Sequence, residues 1–231
     1  MSNYKELKQQ CYTCNMELPK RNLVIYTFGN VSVIDREKNV FAIKPSGVDY
    51  EKLKPEDIVI CDLDNNVIEG DLRPSSDTKT HSILYRSFSD IGGVVHTHST
   101  YACAWAQAIR SIPIFGTTHA DHLACDIPCT KVMNDEMIKG DYEEETGKQI
   151  LETFENISYK EVEMVLVACH GPFTWGKTPE KAVYNSVVLE ELAKMALLTL
   201  QINKNTPLLK KSLIEKHYFR KHGKNSYYGQ E

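Results

Sequence analysis

Two apolar segments that each end in histidine constrain the fold of this chain most strongly. Residues 91–95 form a glycine-containing apolar run that leads into His96, Thr97 and His98, and residues 166–169 lead in the same way into His170. Side chains two positions apart on a strand point to the same face, so His96 and His98 are predicted to project together from one strand end. A divalent metal bridges imidazoles that are crowded in this way. The pattern predicts a three-histidine site with an open coordination position, as catalytic metal sites have.

Composition excludes several classes of protein. Of the 231 residues, 42 % are hydrophobic and 25 % are charged, so we expect an ordinary globular protein. Because the net charge is −4, we expect no nucleic-acid partner. No segment approaches the roughly 20 apolar residues of a membrane helix, and residues 1–6 lack the apolar core of a signal peptide. The seven scattered cysteines suit reduced thiols. These features predict a cytoplasmic protein without a membrane partner.

Hydrophobic periodicity predicts strands that form hairpins first and then mix with helices. This order is typical of an α/β protein of the α+β type, in which a mostly antiparallel central sheet carries helices on both faces. We expect one domain over residues 1–231. The predicted strands cover residues 23–28, 31–34, 40–43, 57–61, 67–68, 92–98 and 163–168. The predicted helices cover residues 3–18, 80–88, 99–109, 143–155, 179–203 and 208–222.

Three short turns of glycine and serine favour anion binding. Glycine lets backbone N–H groups approach an oxyanion closely, serine adds a hydroxyl donor, and Lys44 adds positive charge. Each turn alone is a common loop, and none matches a known nucleotide-binding fingerprint. Together they predict a small phosphorylated ligand. The three turns lie at residues 28–30, 44–47 and 73–77.

A polar segment over residues 116–122 follows an apolar one and has the character of a functional loop. Its carboxylate, Asp121, is either a general acid/base or a turn residue, and position alone does not decide between them. The segment over residues 204–224 is locally basic, which favours a solvated helix face, with contact to an anionic ligand or another subunit as the alternative.

Seven spaced motifs together resemble the class II aldolase/adducin-head family. They lie at residues 29–32, 43–47, 74–78, 96–99, 116–121, 170–173 and 227–230, so the resemblance runs nearly from end to end. It implies a central, mostly antiparallel sheet with helices on both sides. It also implies a homotetramer around a fourfold axis, with active sites between neighbouring subunits.

The resemblance also implies roles for individual residues. One Zn²⁺ per subunit would be held by His96, His98 and His170, with Asp77 as a ligand or near-ligand, although manganese or another divalent ion remains open. Asp121 and Tyr228 would form the acid/base pair, contributed by different chains. The phosphate and sugar contacts would fall on Gly29, Asn30, Ser46, Gly47, Ser75 and Ser76. Lys44 joins these candidate substrate-binding residues because of its charge.

Within that family the motifs are most similar to the branch that acts on ketopentose 5-phosphates. This similarity implies interconversion of L-ribulose 5-phosphate and D-xylulose 5-phosphate by opening and re-forming the C3–C4 bond. Two alternatives stay open: an aldolase that splits fuculose or rhamnulose 1-phosphate, and a non-catalytic scaffold like the adducin head. The related aldolases have a glutamate base near the position of Asp77, so the shorter side chain here favours epimerisation. Retention of the three histidines argues against the scaffold.

Overall fold

The central feature of the fold is a seven-stranded sheet, seen in a computed structural model that describes residues 3–222 and 226–227. The strand order is β4-β3-β2-β1-β5-β7-β6, and every neighbouring pair is antiparallel. The predicted antiparallel architecture is therefore confirmed. The strands are β1 (Asn30–Asp35), β2 (Val40–Ile43), β3 (Val59–Asp62), β4 (Val67–Glu69), β5 (Gly93–His96), β6 (Met164–Val167) and β7 (Gly171–Gly176).

Helices cover both faces of the sheet because its strands are apolar on both sides. On β1, Val31 and Val33 face one hydrophobic cluster together with α1, while Ile34 faces a second cluster together with α2, α3 and α6. The long helix α7 contributes to both clusters. The helices are α1 (Lys5–Lys20), α2 (Thr78–Ser87), α3 (Thr100–Gln107), α4 (Thr117–Ala120), α5 (Asp135–Lys139), α6 (Tyr142–Thr153), α7 (Pro179–Ile202) and α8 (Lys211–His222), with a 3₁₀ turn at Pro55–Asp57.

Two strand predictions were wrong. Residues 23–28 form no strand: Ile25, Tyr26 and Phe28 are exposed, and Tyr26 has a φ of 54°, which a strand cannot accommodate. Strand β7 was missed, although it is the partner of both β5 and β6. The predicted strand over residues 92–98 ends at His96, so His98 lies in irregular backbone beyond the strand.

Three helical details also differ from the prediction. Helix α1 does not stop before Pro19 but continues to Lys20, because a proline in the last turn removes only one hydrogen bond. Residues 117–120 form the short helix α4 inside the segment predicted to be a loop, and α5 was not predicted. Among the described residues, no helix is long and apolar enough to cross a membrane.

Candidate metal centre and its cavity

His96 is the histidine that the sheet holds most firmly. It is the last residue of β5 and lies opposite Asn30 of β1 on one side and Phe173 of β7 on the other. Its ring stacks on the Phe173 ring with centroids 4.2 Å apart, and its Nδ1 lies 3.0 Å from the carbonyl oxygen of Pro172. Because a carbonyl only accepts, His96 Nδ1 carries the proton and Nε2 presents its lone pair. Such a carbonyl partner is typical of metal-binding histidines.

His98 lies two residues beyond His96 and faces it directly. The two Nε2 atoms are 3.0 Å apart, and the ring planes are nearly perpendicular. The ring of Phe28 lies against the outer side of His98. The prediction that this pair projects together is confirmed, although irregular backbone rather than a continued strand positions the second ring.

His170 reaches the same point from the turn between β6 and β7. The preceding residue, Cys169, has a φ of 62°, which allows the three-residue turn to close. The His170 ring lies 4.7 Å from that of His96 and 5.1 Å from that of His98, and its Nδ1 is 3.3 Å from the Tyr142 hydroxyl. Potential ligand atoms of the three histidines all lie within 4.8 Å of one another.

The donor set fits a divalent ion. Burial and the neighbouring His96 lower the pKa of both His98 and His170, so these rings are neutral at pH 7 and their lone pairs are available. Three imidazoles whose potential ligand atoms crowd around one location form an arrangement that a divalent cation satisfies. His96, His98 and His170 can therefore hold a metal.

Glycines allow the backbone to close around this cluster. Gly29 has a φ of 74°, and a Cβ atom there would lie 2.7 Å from the carbonyl oxygen of His96. A Cβ atom on Gly171 would lie 2.8 Å from the carbonyl oxygen of Thr97. Both glycines are required for this close approach of strand ends.

Asp77 lies at the start of α2, next to the histidine cluster. Its Oδ2 accepts a hydrogen bond of 2.6 Å from Asn30 Nδ2, and Ser75 Oγ is also within reach. Although burial opposes ionisation, the nearby His96 and His81 hold the pKa of Asp77 below its usual range. The side-chain oxygen of Asn30 is buried and has no hydrogen-bond partner, which leaves an acceptor for a ligand. A carboxylate so placed can bind a metal directly or orient what the metal binds.

A cavity of about 390 Å³ opens onto the cluster. All seven predicted substrate-binding residues line it, together with Asp77 and the three histidines. The three turns that the sequence marked for anion binding therefore lie at this cavity, and substrate binding by their residues stays a prediction. The sequence did not mark Thr27, Tyr142 and Glu143, which also line the cavity. No local motif marks Tyr142 and Glu143, because only the packing of α6 against α2 brings the start of α6 to this position.

Lys44 lies at the cavity but directs its charge toward the backbone. Its ammonium donates to the carbonyl of Val48 at 2.6 Å and lies 4.8 Å from the centre of the Tyr50 ring. Burial lowers the pKa of Lys44 to about 8. The side chain therefore supplies positive potential to the cavity from a nearly fully buried position.

Asp121 does not line this cavity. It ends the short helix α4 and faces α8, where Arg220 donates two hydrogen bonds to its carboxylate and His217 Nδ1 lies 2.9 Å from Oδ1. Although partial burial opposes ionisation, these contacts with Arg220 and His217 hold the pKa of Asp121 below its usual range. The other predicted acid/base residue, Tyr228, lies outside the described residues. The structure thus brings the metal and turn residues together in one chain, and it places Asp121 elsewhere.

Comparisons with known proteins identify relatives of this fold and site. Residues 9–197 match the family described as Class II Aldolase and Adducin N-terminal domain. The chain is 51 % identical over 227 residues to L-ribulose-5-phosphate 4-epimerase UlaF of Salmonella paratyphi C (strain RKS4594), and the match covers 98 % of this chain and 100 % of that protein.

Solved structures show the same fold. An L-fuculose 1-phosphate aldolase superposes with a TM-score of 0.77 at 27 % identity, covering 94 % of this chain and 95 % of the aldolase. YgbL from Klebsiella pneumoniae, described as a putative aldolase/epimerase/decarboxylase, superposes with a TM-score of 0.70 at 20 % identity, covering 94 % and 99 %.

Proposed function

Because this chain belongs to the Class II Aldolase and Adducin N-terminal domain family, we propose that it interconverts L-ribulose 5-phosphate and D-xylulose 5-phosphate. The observation that carries the proposal is a single cavity lined by three imidazoles and by serine- and glycine-bearing turns. The Salmonella relative, named as an epimerase of this substrate and half identical over its full length, supports the choice of reaction.

The chemistry of inversion explains why such a site is suitable. The hydrogen on C4 is not acidified by an adjacent carbonyl, so its direct removal is difficult. C4 is, however, β to the C2 ketone, and deprotonating the C4 hydroxyl allows the C3–C4 bond to break. The products are the enediolate of dihydroxyacetone and glycolaldehyde phosphate. When the aldehyde turns its other face to the enediolate, the bond re-forms with C4 inverted.

A divalent ion held by three imidazoles would suit this chemistry. His96, His98 and His170 would hold one Zn²⁺ or Mn²⁺ ion per subunit, with Asp77 as a ligand or near-ligand. When bound, the ion supplies Lewis-acid stabilisation of negative charge on substrate oxygens, worth several kcal/mol. Neutral imidazoles leave the ion its full charge, which suits an anionic intermediate better than thiolates would.

The turns hold the phosphorylated end of the substrate. The backbone N–H groups of Gly29 and Gly47 and the hydroxyls of Ser46, Ser75 and Ser76 would donate hydrogen bonds to the phosphate, while the buried charge of Lys44 favours its dianion. The unpartnered oxygen of Asn30 would accept from a sugar hydroxyl. Hydrogen bonds from several small donors would retain the aldehyde fragment while it rotates.

Proton transfer requires one group on each face of the aldehyde. We assign these roles to Asp121 and Tyr228, contributed by different subunits of a homotetramer, so that a carboxylate that does not line its own cavity serves a neighbouring one. A phenol has an unperturbed pKa near 10, so Tyr228 needs a nearby positive charge to act as a base. We place the whole chain in one domain and the protein in the cytoplasm.

The proposal is tested by comparing two reactions of the purified protein. Rapid conversion of L-ribulose 5-phosphate to D-xylulose 5-phosphate is expected, with at most slow aldol condensation of dihydroxyacetone phosphate and L-lactaldehyde. Rapid condensation without epimerisation would instead identify a fuculose-phosphate type of aldolase, which the likeness to that solved structure keeps as the rival. A protein that binds no divalent ion would be a scaffold.

A further inference from the structure

Helix α3 begins two residues after His98, and the side chain of its N-cap residue makes no capping hydrogen bond. Ser99 is the N-cap, yet its hydroxyl is buried without a hydrogen-bond partner. The capping groups come from α7 instead. Glu190 Oε1 accepts a hydrogen bond from Tyr101 N, and Oε2 accepts one from Ala102 N, each at 2.9 Å. The first backbone N–H groups of a helix have no partner within the helix, and a carboxylate there also interacts favourably with the helix dipole.

The same helix supports His98 and the turn that carries His170. His98 lies beyond the end of β5, and the start of α3 two residues later is the next regular structure that fixes its backbone. One turn into α3, Cys103 Sγ donates to the carbonyl oxygen of His170 at 3.5 Å. Near its end, the carbonyl of Ala106 accepts from Cys169 N at 2.9 Å. A displacement of α3 would therefore shift the backbone on which His98 and His170 lie.

His96 depends on different supports. Its backbone is paired with β1 and β7, and its ring is fixed by Phe173 and by the carbonyl of Pro172. The positions of His98 and of the His170 turn relative to His96 therefore depend in part on where α3 lies against the sheet. Glu190 links the start of α3 to α7, and α7 in turn packs on β5 and β7.

We propose that Glu190 is a positioning residue for the metal site, which acts by clamping the start of α3 to α7. It does not line the cavity that holds the histidines, and through α3 it would help to set the positions of His98 and His170 relative to His96. The inference rests on the proposed metal site. A carboxylate fits the role because it offers one acceptor oxygen to each of two adjacent backbone N–H groups, whereas an amide offers one oxygen and places an NH₂ group against the other.

Metal binding by the full chain tests this assignment. After removal of metal with a chelator, Co²⁺ is titrated into the wild type, Glu190→Gln and Glu190→Ala, and the Kd and the visible spectrum of bound Co²⁺ are recorded. We expect Glu190→Ala to weaken Co²⁺ binding about tenfold and to alter the spectrum, with Glu190→Gln intermediate. Should the alanine variant not fold, the glutamine variant carries the test.

Thr178→Val is the matched control, because Thr178 Oγ1 accepts from Lys181 N and caps the helix that carries Glu190 without touching α3. It should lower the thermal midpoint of the metal-free protein and leave Co²⁺ affinity and spectrum unchanged. Folded Glu190 variants with wild-type Kd and spectrum would overturn the assignment, as would an equal loss of affinity in Thr178→Val. If the wild type itself binds no Co²⁺, Zn²⁺ or Mn²⁺, the proposed function fails, and the assignment fails with it.

Discussion

At the scale of single residues, the three imidazoles differ in how the protein holds them. His96 is buried, stacks on the Phe173 ring and is fixed through Nδ1, whereas His98 is the most exposed of the three. His170 is intermediate and contacts the Tyr142 hydroxyl. A metal bound here would therefore depend most strongly on His96, and acid/base residues elsewhere would contribute to turnover without contributing to affinity.

A comparison of His96→Asn with Tyr228→Phe distinguishes a loss of metal binding from a loss of proton transfer. We expect His96→Asn to weaken binding of the divalent ion at least tenfold and to lower epimerisation with it, because an essential ligand is lost. Tyr228→Phe should lower epimerisation and leave the metal content near one ion per subunit. Metal analysis of both purified variants, beside their rates, is the measurement. Loss of metal from Tyr228→Phe would contradict this division of roles.

A buried histidine outside the cavity makes the fold sensitive to acid. His119 is almost fully buried, and burial lowers its pKa to about 4. Its folded pKa lies below the unfolded value of about 6.5. Its contribution to stability is therefore complete above pH 6.5, and it is lost as the pH falls from there toward 4, because only the unfolded chain takes up the proton.

Urea unfolding at pH 7 and pH 5 tests this contribution. His119→Gln keeps an N–H donor for the carbonyl of Cys125 but cannot titrate. Between the two pH values, the wild type should lose about 2 kcal/mol more of its free energy of unfolding than the variant does. Equal losses in the two proteins would show that His119 does not titrate in this way.

At the scale of elements, the ends of the strands build the site, and glycine conformation limits how closely they approach. Gly29 precedes β1 and packs against the His96 carbonyl at the end of β5. Gly47 also has a positive φ, of 68°, yet nothing lies within 4 Å of where its Cβ would be. Both glycines have a positive φ, but only Gly29 has close neighbours at its Cβ position, so substitutions at the two positions distinguish backbone strain from steric contact.

We expect Gly47→Ala to lower the free energy of unfolding by about 1 kcal/mol, from backbone strain alone. Gly29→Ala should cost about 1–3 kcal/mol more, because the added methyl group collides with the backbone of β5. It should also weaken metal binding, which Gly47→Ala should not. Chemical unfolding and metal titration of both variants measure these effects. Equal stabilities would contradict the role of Gly29 as a packing glycine.

Local sequence patterns predicted those strands and helices whose apolar residues are in fact buried in the structure. Alternating or continuous apolar runs predicted β1, β2 and β5, and α7 was predicted to within one residue of its observed end. The prediction failed over residues 23–28, where Leu23 is buried but Ile25, Tyr26 and Phe28 are exposed in the single chain. It also failed at β7, a fully buried strand that begins with the untypical strand residues Gly171 and Pro172. Burial of this kind is decided by tertiary pairing, which no local pattern contains.

The site was predictable to a similar extent, for a similar reason. His96, His98 and the glycine- and serine-bearing turns carry local signals, and the structure places them around one cavity. Tyr142 and Glu143 carry none, and Glu190 is one glutamate among several on a long helix. Their positions depend on helix packing. The roles assigned to Asp77, Asp121 and Tyr228 remain predictions.

At the scale of the whole molecule, the single chain lacks part of the proposed machinery at its cavity. Asp121 is paired with α8 and does not line the cavity that holds the histidines. Among the described residues, exposed apolar side chains on α7 and α8 include Leu198, Ile202, Leu213 and Phe219, and the proposed homotetramer could bury them between subunits.

Mixing two inactive variants tests whether the site is shared. Asp121→Asn and Tyr228→Phe should each have low activity. Mixed assemblies, re-formed after dissociation together, should recover activity in about a quarter of their sites, because an intact Asp121 can then meet an intact Tyr228 from the neighbour. The control is each variant dissociated and re-formed alone. Persistent inactivity of confirmed mixed assemblies would indicate that both groups come from one chain.

The most direct measurement of the central claim is the rate of epimerisation of L-ribulose 5-phosphate by the chelator-stripped protein, with residual metal determined in the same sample. The stripped protein should be folded and nearly inactive, and one equivalent of Zn²⁺ or Mn²⁺ per chain should restore its rate. A protein free of divalent ions that still epimerises at the full rate would contradict the account.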